Sequence, residues 1–101
     1  MTRRFEWDES KAESNWKKHG ITFETASRAF ADPFAVTEID SDAVSEYRWR
    51  TIAMVNGMTL LLVVHTDWEE GDIEVTRLIS ARLAERPERR KYENNYGKIR
   101  N

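Results

Sequence analysis

Two arginines and a histidine near the middle of the chain have the side chains that phosphate chemistry requires. Arg48 and Arg50 precede an Asn56-Gly57 pair, and His65 follows it. Because Asn-Gly accepts the positive φ angles of a type I′ turn, we predict a β-hairpin in which Arg48 faces His65. The guanidinium groups could then bind an anionic group while the imidazole exchanges a proton with it.

A third strand, roughly Ile73 to Ala81, adds a carboxylate to this set. It follows the segment 67–72, which we interpret as a loop. If Thr66 pairs with Ile73, Glu74 lies beside the histidine on the same sheet face. Glu74 is therefore a candidate partner for proton exchange.

Strand parity places two arginines near the end of this third strand, Arg77 and Arg82, on different faces of the sheet. Arg82 is predicted to share the face of His65, and Arg77 to lie on the opposite face. The predicted catalytic residues, which should converge on one accessible sheet face, are Arg48, Arg50, His65, Glu74 and Arg82. The alternative for His65 is a structural role, as a strand-end residue hydrogen-bonded to a neighbour.

The hairpin count also predicts which residues pair in the core. It makes Ala53 face Leu60 and Arg50 face Val63. Because Leu60 to Val64 is apolar at every position, we expect this middle strand to be covered on both faces.

Capping signals before the hairpin predict two short helices. Asp8 can cap a helix that runs to about Lys18 and ends at Gly20 in the left-handed conformation. Thr22 can cap a second helix, Phe23 to Phe30, which Pro33 prevents from continuing.

Short strands and a last helix complete the predicted elements. Phe5 to Trp7 and Phe34 to Ile39 are interpreted as edge strands. Pro87 begins a C-terminal helix that runs to about Tyr96 and ends at Gly97. The predicted fold class is α+β, with a small antiparallel sheet, two N-terminal helices and a C-terminal helix.

Length and composition indicate one domain, residues 1–101, without disulfides. The chain has 101 residues, no cysteine and a formal net charge of −2. It begins without an apolar signal sequence and contains no run of about 20 apolar residues, so no membrane association is predicted. We expect a cytoplasmic protein.

The charge is unevenly distributed along the sequence. Residues 1–76 contain eight Lys/Arg and fifteen Asp/Glu, a net charge of −7, whereas residues 77–101 contain eight and three, a net charge of +5. A basic C-terminal segment can contact a phosphate backbone or an acidic partner, or it can be a solvated helix.

Many spaced residues together resemble the BrnT family of type II toxins. The similarity rests on Phe5-Glu-Trp-Asp8, Lys11, Asn15, Lys18-His-Gly-Ile21, Phe23-Glu24, Phe30, Asp32-Pro33, Glu46, Arg48, Leu61 to Thr66, Ile79-Ser-Ala-Arg82, Glu88-Arg89 and Tyr92. These residues extend over most of the chain and follow the order of the family.

The resemblance implies a RelE-like fold and a ribonuclease that blocks translation until an antitoxin neutralises it. The implied antitoxin carries a ribbon-helix-helix DNA-binding domain, so that the toxin meets DNA only through its partner. We expect this antitoxin to contact both the C-terminal helix and the Arg48/Arg50 face. The alternative is a non-catalytic antitoxin-binding module that acts in repression of its own operon.

Further residues are candidates for contacts with an RNA substrate. They are basic or aromatic, and comprise Lys17, Lys18, His19, Trp68, Arg89 and Arg90. Trp68 lies in a charged segment and could stack on a base. His19 follows two lysines at a helix end, where complementing the helix dipole is the simpler explanation.

Neither a metal nor a cofactor is predicted. The two histidines are 46 positions apart and share no ligand motif. No glycine-rich phosphate loop is present in the sequence either, so an enzyme of this kind would rely on side chains and use no cofactor.

Overall fold

A five-stranded sheet with three α-helices forms the fold, in agreement with the predicted α+β class. The structure is a computed structural model and describes residues 2–41 and 47–100, with no side-chain description for residues 99 and 100. The elements are β1 (Thr2–Trp7), α1 (Glu9–His19), α2 (Phe23–Ser27), a 3₁₀ helix (Arg28–Ala31), β2 (Val36–Ile39), β3 (Trp49–Val55), β4 (Thr59–Glu70), β5 (Ile73–Leu83) and α3 (Arg86–Arg100).

The strand order is β1-β5-β4-β3-β2, and four of the five strands form an antiparallel meander. The exception is β1, which pairs parallel with β5 at one edge. Residue Glu46, which contributes to the family resemblance, lies outside the described residues.

The first helix is bounded as its sequence predicts. The Asp8 side chain accepts hydrogen bonds from the Ser10 hydroxyl and from the backbone N–H groups of Lys11 and Ser10, and these bonds lower the Asp8 pKa. At the other end Gly20 adopts φ 69°, the left-handed conformation.

The second helix is shorter than predicted. Thr22 caps it through the N–H of Thr25, but α2 ends at Ser27 and the chain continues as the 3₁₀ helix to Ala31. Asp32 then follows in an extended conformation, as expected before Pro33.

The β3–β4 hairpin forms, but with a register one residue away from the prediction. Asn56 and Gly57 both have positive φ, 56° and 69°, as a type I′ turn requires. Pairing nevertheless begins with Val55 and Thr59, so that Met58 joins the loop and Ala53 pairs with Leu61 instead of Leu60. Neighbouring residues of a strand point to opposite faces of the sheet. A slip of one residue therefore places the two members of each predicted pair on opposite faces.

The prediction that the segment 67–72 is a loop is wrong for residues 67–70, which belong to β4. Strand β4 continues to Glu70, which pairs with Ile73 across a Gly71-Asp72 turn. Thr66 consequently pairs with Arg77 and not with Ile73. Glu69 and Glu70 lie at the exposed end of this strand, where Glu70 forms an ion pair with Arg4 of β1.

A β-bulge in β5 adds a second change of parity. Val64 pairs with Ser80 and His65 pairs with Leu78, which leaves Ile79 as the extra residue. Arg77 lies on the face opposite His65, as predicted, but the prediction for Arg82 is wrong, because the bulge places Arg82 on the same face as Arg77.

Both faces of the sheet are covered, as the apolar run in β4 predicted. One face, called here the N-helix face, packs under α1, α2 and the 3₁₀ helix around Phe23, Leu61 and Leu78. The other, called the α3 face, packs under α3 around Ile52, Leu62 and Tyr92.

Helix α3 continues through Gly97 to Arg100 and does not end where predicted. Polar contacts attach it to the sheet: the Tyr92 hydroxyl donates to Asp32 Oδ2 at 2.7 Å, and Asn95 donates to the Phe34 carbonyl at 2.9 Å. Among the described residues, no helix is long and apolar enough to cross a membrane.

Candidate functional site

Two arginines from different strands meet one carboxylate on the α3 face. Arg82 Nη1 and Nη2 donate to Glu88 Oε1 and Oε2 at 2.8 and 3.2 Å. Arg50 Nη2 donates to Glu88 Oε2 at 3.1 Å. Glu88 is thus held by two guanidinium groups, one of them bidentate.

A second carboxylate extends this group toward solvent. Glu38 lies opposite Arg50 in the β2–β3 ladder, and its Oε1 is 3.2 Å from Arg50 Nε and 2.8 Å from Lys91 Nζ. We call the five residues Arg50, Arg82, Glu88, Glu38 and Lys91 the arginine cluster. It contains three cationic and two anionic groups, and therefore has a net charge of +1.

One donor of the cluster is left without an acceptor. Arg50 Nε is buried and close enough to Glu38 for an ion pair, but the angle is too poor for a hydrogen bond, and no other described residue accepts from it. A buried N–H without an acceptor is costly, so an anion that reached it would be stabilised.

The electrostatics keep Glu88 ionised. Its hydrogen bond from Arg82 is the largest cause, and with the Glu85 N–H and the charges of Arg82 and Arg50 it outweighs desolvation and lowers the Glu88 pKa from 4.5 to about 2. The same contact with Glu88 raises the pKa of Arg82.

His65 lies on the N-helix face, inside the core. Its Nε2 is 2.7 Å from Thr51 Oγ1, its Nδ1 is 3.1 Å from Asp67 Oδ1, and its ring is nearly perpendicular to that of Phe30, with 4.8 Å between centroids. The side chain is only 1% exposed. This geometry is that of a hydrogen-bonded core histidine, the alternative considered from the sequence.

The neighbouring Asp67 stays ionised despite its partial burial. Desolvation raises its pKa, but hydrogen bonds from His65 and Thr76 and the charges of His65 and Arg3 lower the pKa of this carboxyl overall. Together these side chains satisfy the polar groups at one end of the core.

The five predicted catalytic residues therefore do not converge on one face. Arg50 and Arg82 meet in the arginine cluster, whereas His65 and Glu74 lie on the other side of the sheet. Glu74 forms a 2.8 Å ion pair with Arg3 of β1. Arg48 is half-buried just before β3, and its carbonyl accepts a hydrogen bond from the N–H of Asp40.

The predicted RNA-contacting residues are spread over three regions. Lys17, Lys18 and His19 end α1, over the N-helix face, and Lys17 pairs with Glu13. Trp68 is 38% exposed near the far end of β4 and donates to Glu70. Arg89 and Arg90 are exposed on α3.

Sequence reasoning missed the two carboxylates of the arginine cluster. Glu88 accepts a hydrogen bond from the Glu85 N–H at 2.7 Å, and this three-residue spacing at the start of α3 is that of a capping box. That spacing could have identified Glu88. Glu38 gave no comparable signal, because its position depends on the register of β2 against β3.

In the part of the chain that the structure describes, no three His, Asp or Glu side chains lie close enough to share an ion.

Comparison with known proteins identifies the family. The sequence model described as the ribonuclease toxin BrnT of type II toxin–antitoxin systems matches residues 7–88. In solved structures the fold is similar to that of the Brucella abortus ribonuclease toxin BrnT, with a TM-score of 0.57 and 22% sequence identity over 85% of this chain and 100% of that chain. No curated protein sequence matches significantly. Because the family match extends over most of the 101 residues, the chain belongs to the BrnT family of ribonuclease toxins of type II toxin–antitoxin systems.

Proposed function

We propose that this toxin cleaves RNA at the arginine cluster, with Arg50 and Arg82 holding the phosphate that is attacked. The observation that carries the proposal is the convergence of two guanidinium groups on one carboxylate, Glu88, beside a buried N–H donor without an acceptor. A phosphate presents the same charge and acceptor oxygens as that carboxylate, so it can compete for the same donors.

The cluster also contains groups that can move protons. In the proposed reaction the 2′-hydroxyl of the substrate attacks phosphorus, so that the O2′–P bond forms and the P–O5′ bond breaks. Glu38 accepts the proton of the 2′-hydroxyl, and the Lys91 ammonium donates a proton to the departing 5′ oxygen. The two guanidinium groups stabilise the negative charge that develops on the phosphorane.

Cleavage of cellular RNA would inhibit translation until the antitoxin binds. The family match supports this part of the proposal, because it identifies the chain as a toxin that is paired with an antitoxin.

The alternative function is a non-catalytic module that only binds its antitoxin. One observation favours it: Glu88 already occupies both arginines, and it is itself only 7% exposed. In this case the arginine cluster would serve to attach α3 to the sheet.

Induced expression without the antitoxin distinguishes the two functions. We expect the wild type to arrest growth and degrade cellular RNA, and the Arg82→Ala variant to do neither. Arg77→Ala is the matched control, because Arg77 lies on the same strand and face as Arg82 but pairs with Glu6, outside the cluster. Normal growth and intact RNA with folded wild-type protein would favour the non-catalytic module.

A further inference from the structure

A groove separates α3 from the β3–β4 hairpin on the α3 face of the sheet. Its volume is about 460 Å³. We call it the α3 groove. Met54 and Leu60 line its apolar floor, and Tyr92 and Tyr96 line an aromatic wall. Arg89 and Glu93 form its charged rim.

The helix beside this groove is strongly basic. Residues 86–100 include six Lys/Arg and two Glu, and Glu88, one of the two Glu, is buried in the arginine cluster. Arg86, Arg89 and Arg90 are exposed and form no ion pair with any residue that the structure describes. Since residues 1–76 have a net charge of −7, these arginines form a separate basic surface that complements an acidic partner.

The lining favours a protein partner over RNA. Tyr96 packs against the Phe34 ring, with 4.6 Å between centroids, and against Tyr92. The Tyr92 hydroxyl is taken by Asp32. These rings offer little free face on which a base could stack, whereas the partly buried Met54 provides an apolar surface suited to apolar side chains.

We infer that an amphipathic segment of the antitoxin, with acidic residues along one side, docks in the α3 groove. Its apolar side chains would contact Met54, and its carboxylates would pair with Arg89 and the neighbouring arginines. The inference deepens the proposed function and rests on it, because a partner held here would lie along the helix that supplies Glu88 and Lys91 to the arginine cluster.

The test is the affinity of the purified cognate antitoxin for charge variants of the full-length toxin. Arg89→Glu should weaken binding about tenfold or more, because it places a carboxylate against the acidic side of the partner. Glu93→Lys should strengthen binding, because it replaces a carboxylate on the rim of the groove with a cation. Arg28→Glu is the matched control: it makes the same charge change at an exposed arginine of the 3₁₀ helix, over the N-helix face, and should not alter binding.

RNA cleavage by the same variants separates this inference from the proposed function. Equal antitoxin affinity for Arg89→Glu and wild type would overturn the docking surface. Loss of RNA cleavage by Arg89→Glu with unchanged antitoxin affinity would assign the groove to RNA and overturn it as well. If the wild type cleaves no RNA, the proposed function fails, while a tenfold loss of antitoxin affinity in Arg89→Glu would still support the docking surface.

Discussion

Glu88 is the residue on which the polar contacts of the α3 face converge. It accepts hydrogen bonds from Arg50, Arg82 and the Glu85 N–H, so it joins two strands to the first turn of a helix. Removing one partner of such an ion pair leaves the other charge buried and uncompensated.

The acid dependence of stability should report this contact. The ordinary pKa of this carboxyl is 4.5, and in the folded protein the Glu88 pKa is about 2. The ionised Glu88 therefore stabilises the fold fully above pH 4.5, and this contribution to the free energy of unfolding is lost as the pH falls toward 2. We expect the free energy of unfolding to fall by about 1 to 3 kcal/mol over this interval because of Glu88 alone. Urea unfolding of the wild type and Glu88→Gln at about pH 6 and about pH 2.5 measures it.

Glu93→Gln is the control for this experiment, because Glu93 is exposed on the same helix. It should keep the acid dependence of the wild type. If Glu88→Gln also keeps that dependence in full, the contact with the arginines does not stabilise the fold as described.

Asn15 connects α1 to the bulged strand. Its amide donates to the carbonyls of Ile21 and Ala81 at 3.0 and 2.9 Å, and its carbonyl accepts from the Ala81 N–H at 3.0 Å. The side chain fixes the backbone next to Arg82, and it is almost fully buried.

Asn15→Ala should therefore destabilise the protein. Losing three buried hydrogen bonds and leaving backbone groups unpaired should lower the free energy of unfolding by about 2 to 4 kcal/mol. Denaturant titration measures the loss, with Ser14→Ala, an exposed neighbour, as the control. A loss of less than about 0.5 kcal/mol would contradict this account of Asn15.

At the scale of elements, local signals predicted both ends of α1, the start of α2 and the hairpin, but not the ends of α2 and α3 or the faces of the strands. Asp8, Thr22 and Gly20 act at their own positions, so their roles could be predicted from the sequence. Two single-residue features, the additional loop residue Met58 and the bulge at Ile79, each invert side-chain parity and carry no clear sequence signal.

Both of these changes of side-chain parity alter the predicted catalytic site. The extra residue in the hairpin loop separates Arg50 from His65, and the bulge brings Arg82 to the face of Arg50. The sequence thus identified both arginines of the cluster as catalytic candidates, but it paired them with a histidine and a glutamate on the opposite face.

The hydrogen bond through which Tyr92 attaches α3 to the rest of the fold can be tested by substitution. The Tyr92 hydroxyl donates to Asp32, and burial together with this contact raises the Tyr92 pKa. Tyr92→Phe should lower the free energy of unfolding by about 1 kcal/mol, while Asp32 keeps its hydrogen bonds from Met54 and Phe34. Thermal or chemical unfolding measures the change, and Tyr47→Phe, at a residue 84% exposed, should have no effect.

In the whole molecule, the basic and acidic parts of the sequence occupy different regions of the folded structure. The basic C-terminal segment forms the end of β5 and α3, which covers one face of the sheet, so the arginine cluster and the α3 groove lie on the same side of the molecule. RNA and antitoxin would then meet neighbouring parts of one surface, which is a simple route to inhibition by competition or steric exclusion.

The central claim is that the arginine cluster cleaves RNA, and the rate of cleavage by purified variants tests it most directly. Single-turnover cleavage of one RNA by the wild type, Arg50→Ala, Arg82→Ala and the control Arg77→Ala should show a loss of about 100-fold or more in each cluster variant and none in the control. All four proteins should be folded by circular dichroism. Cleavage by folded Arg50→Ala and Arg82→Ala at the wild-type rate would contradict the claim and place the catalytic groups elsewhere on the molecule.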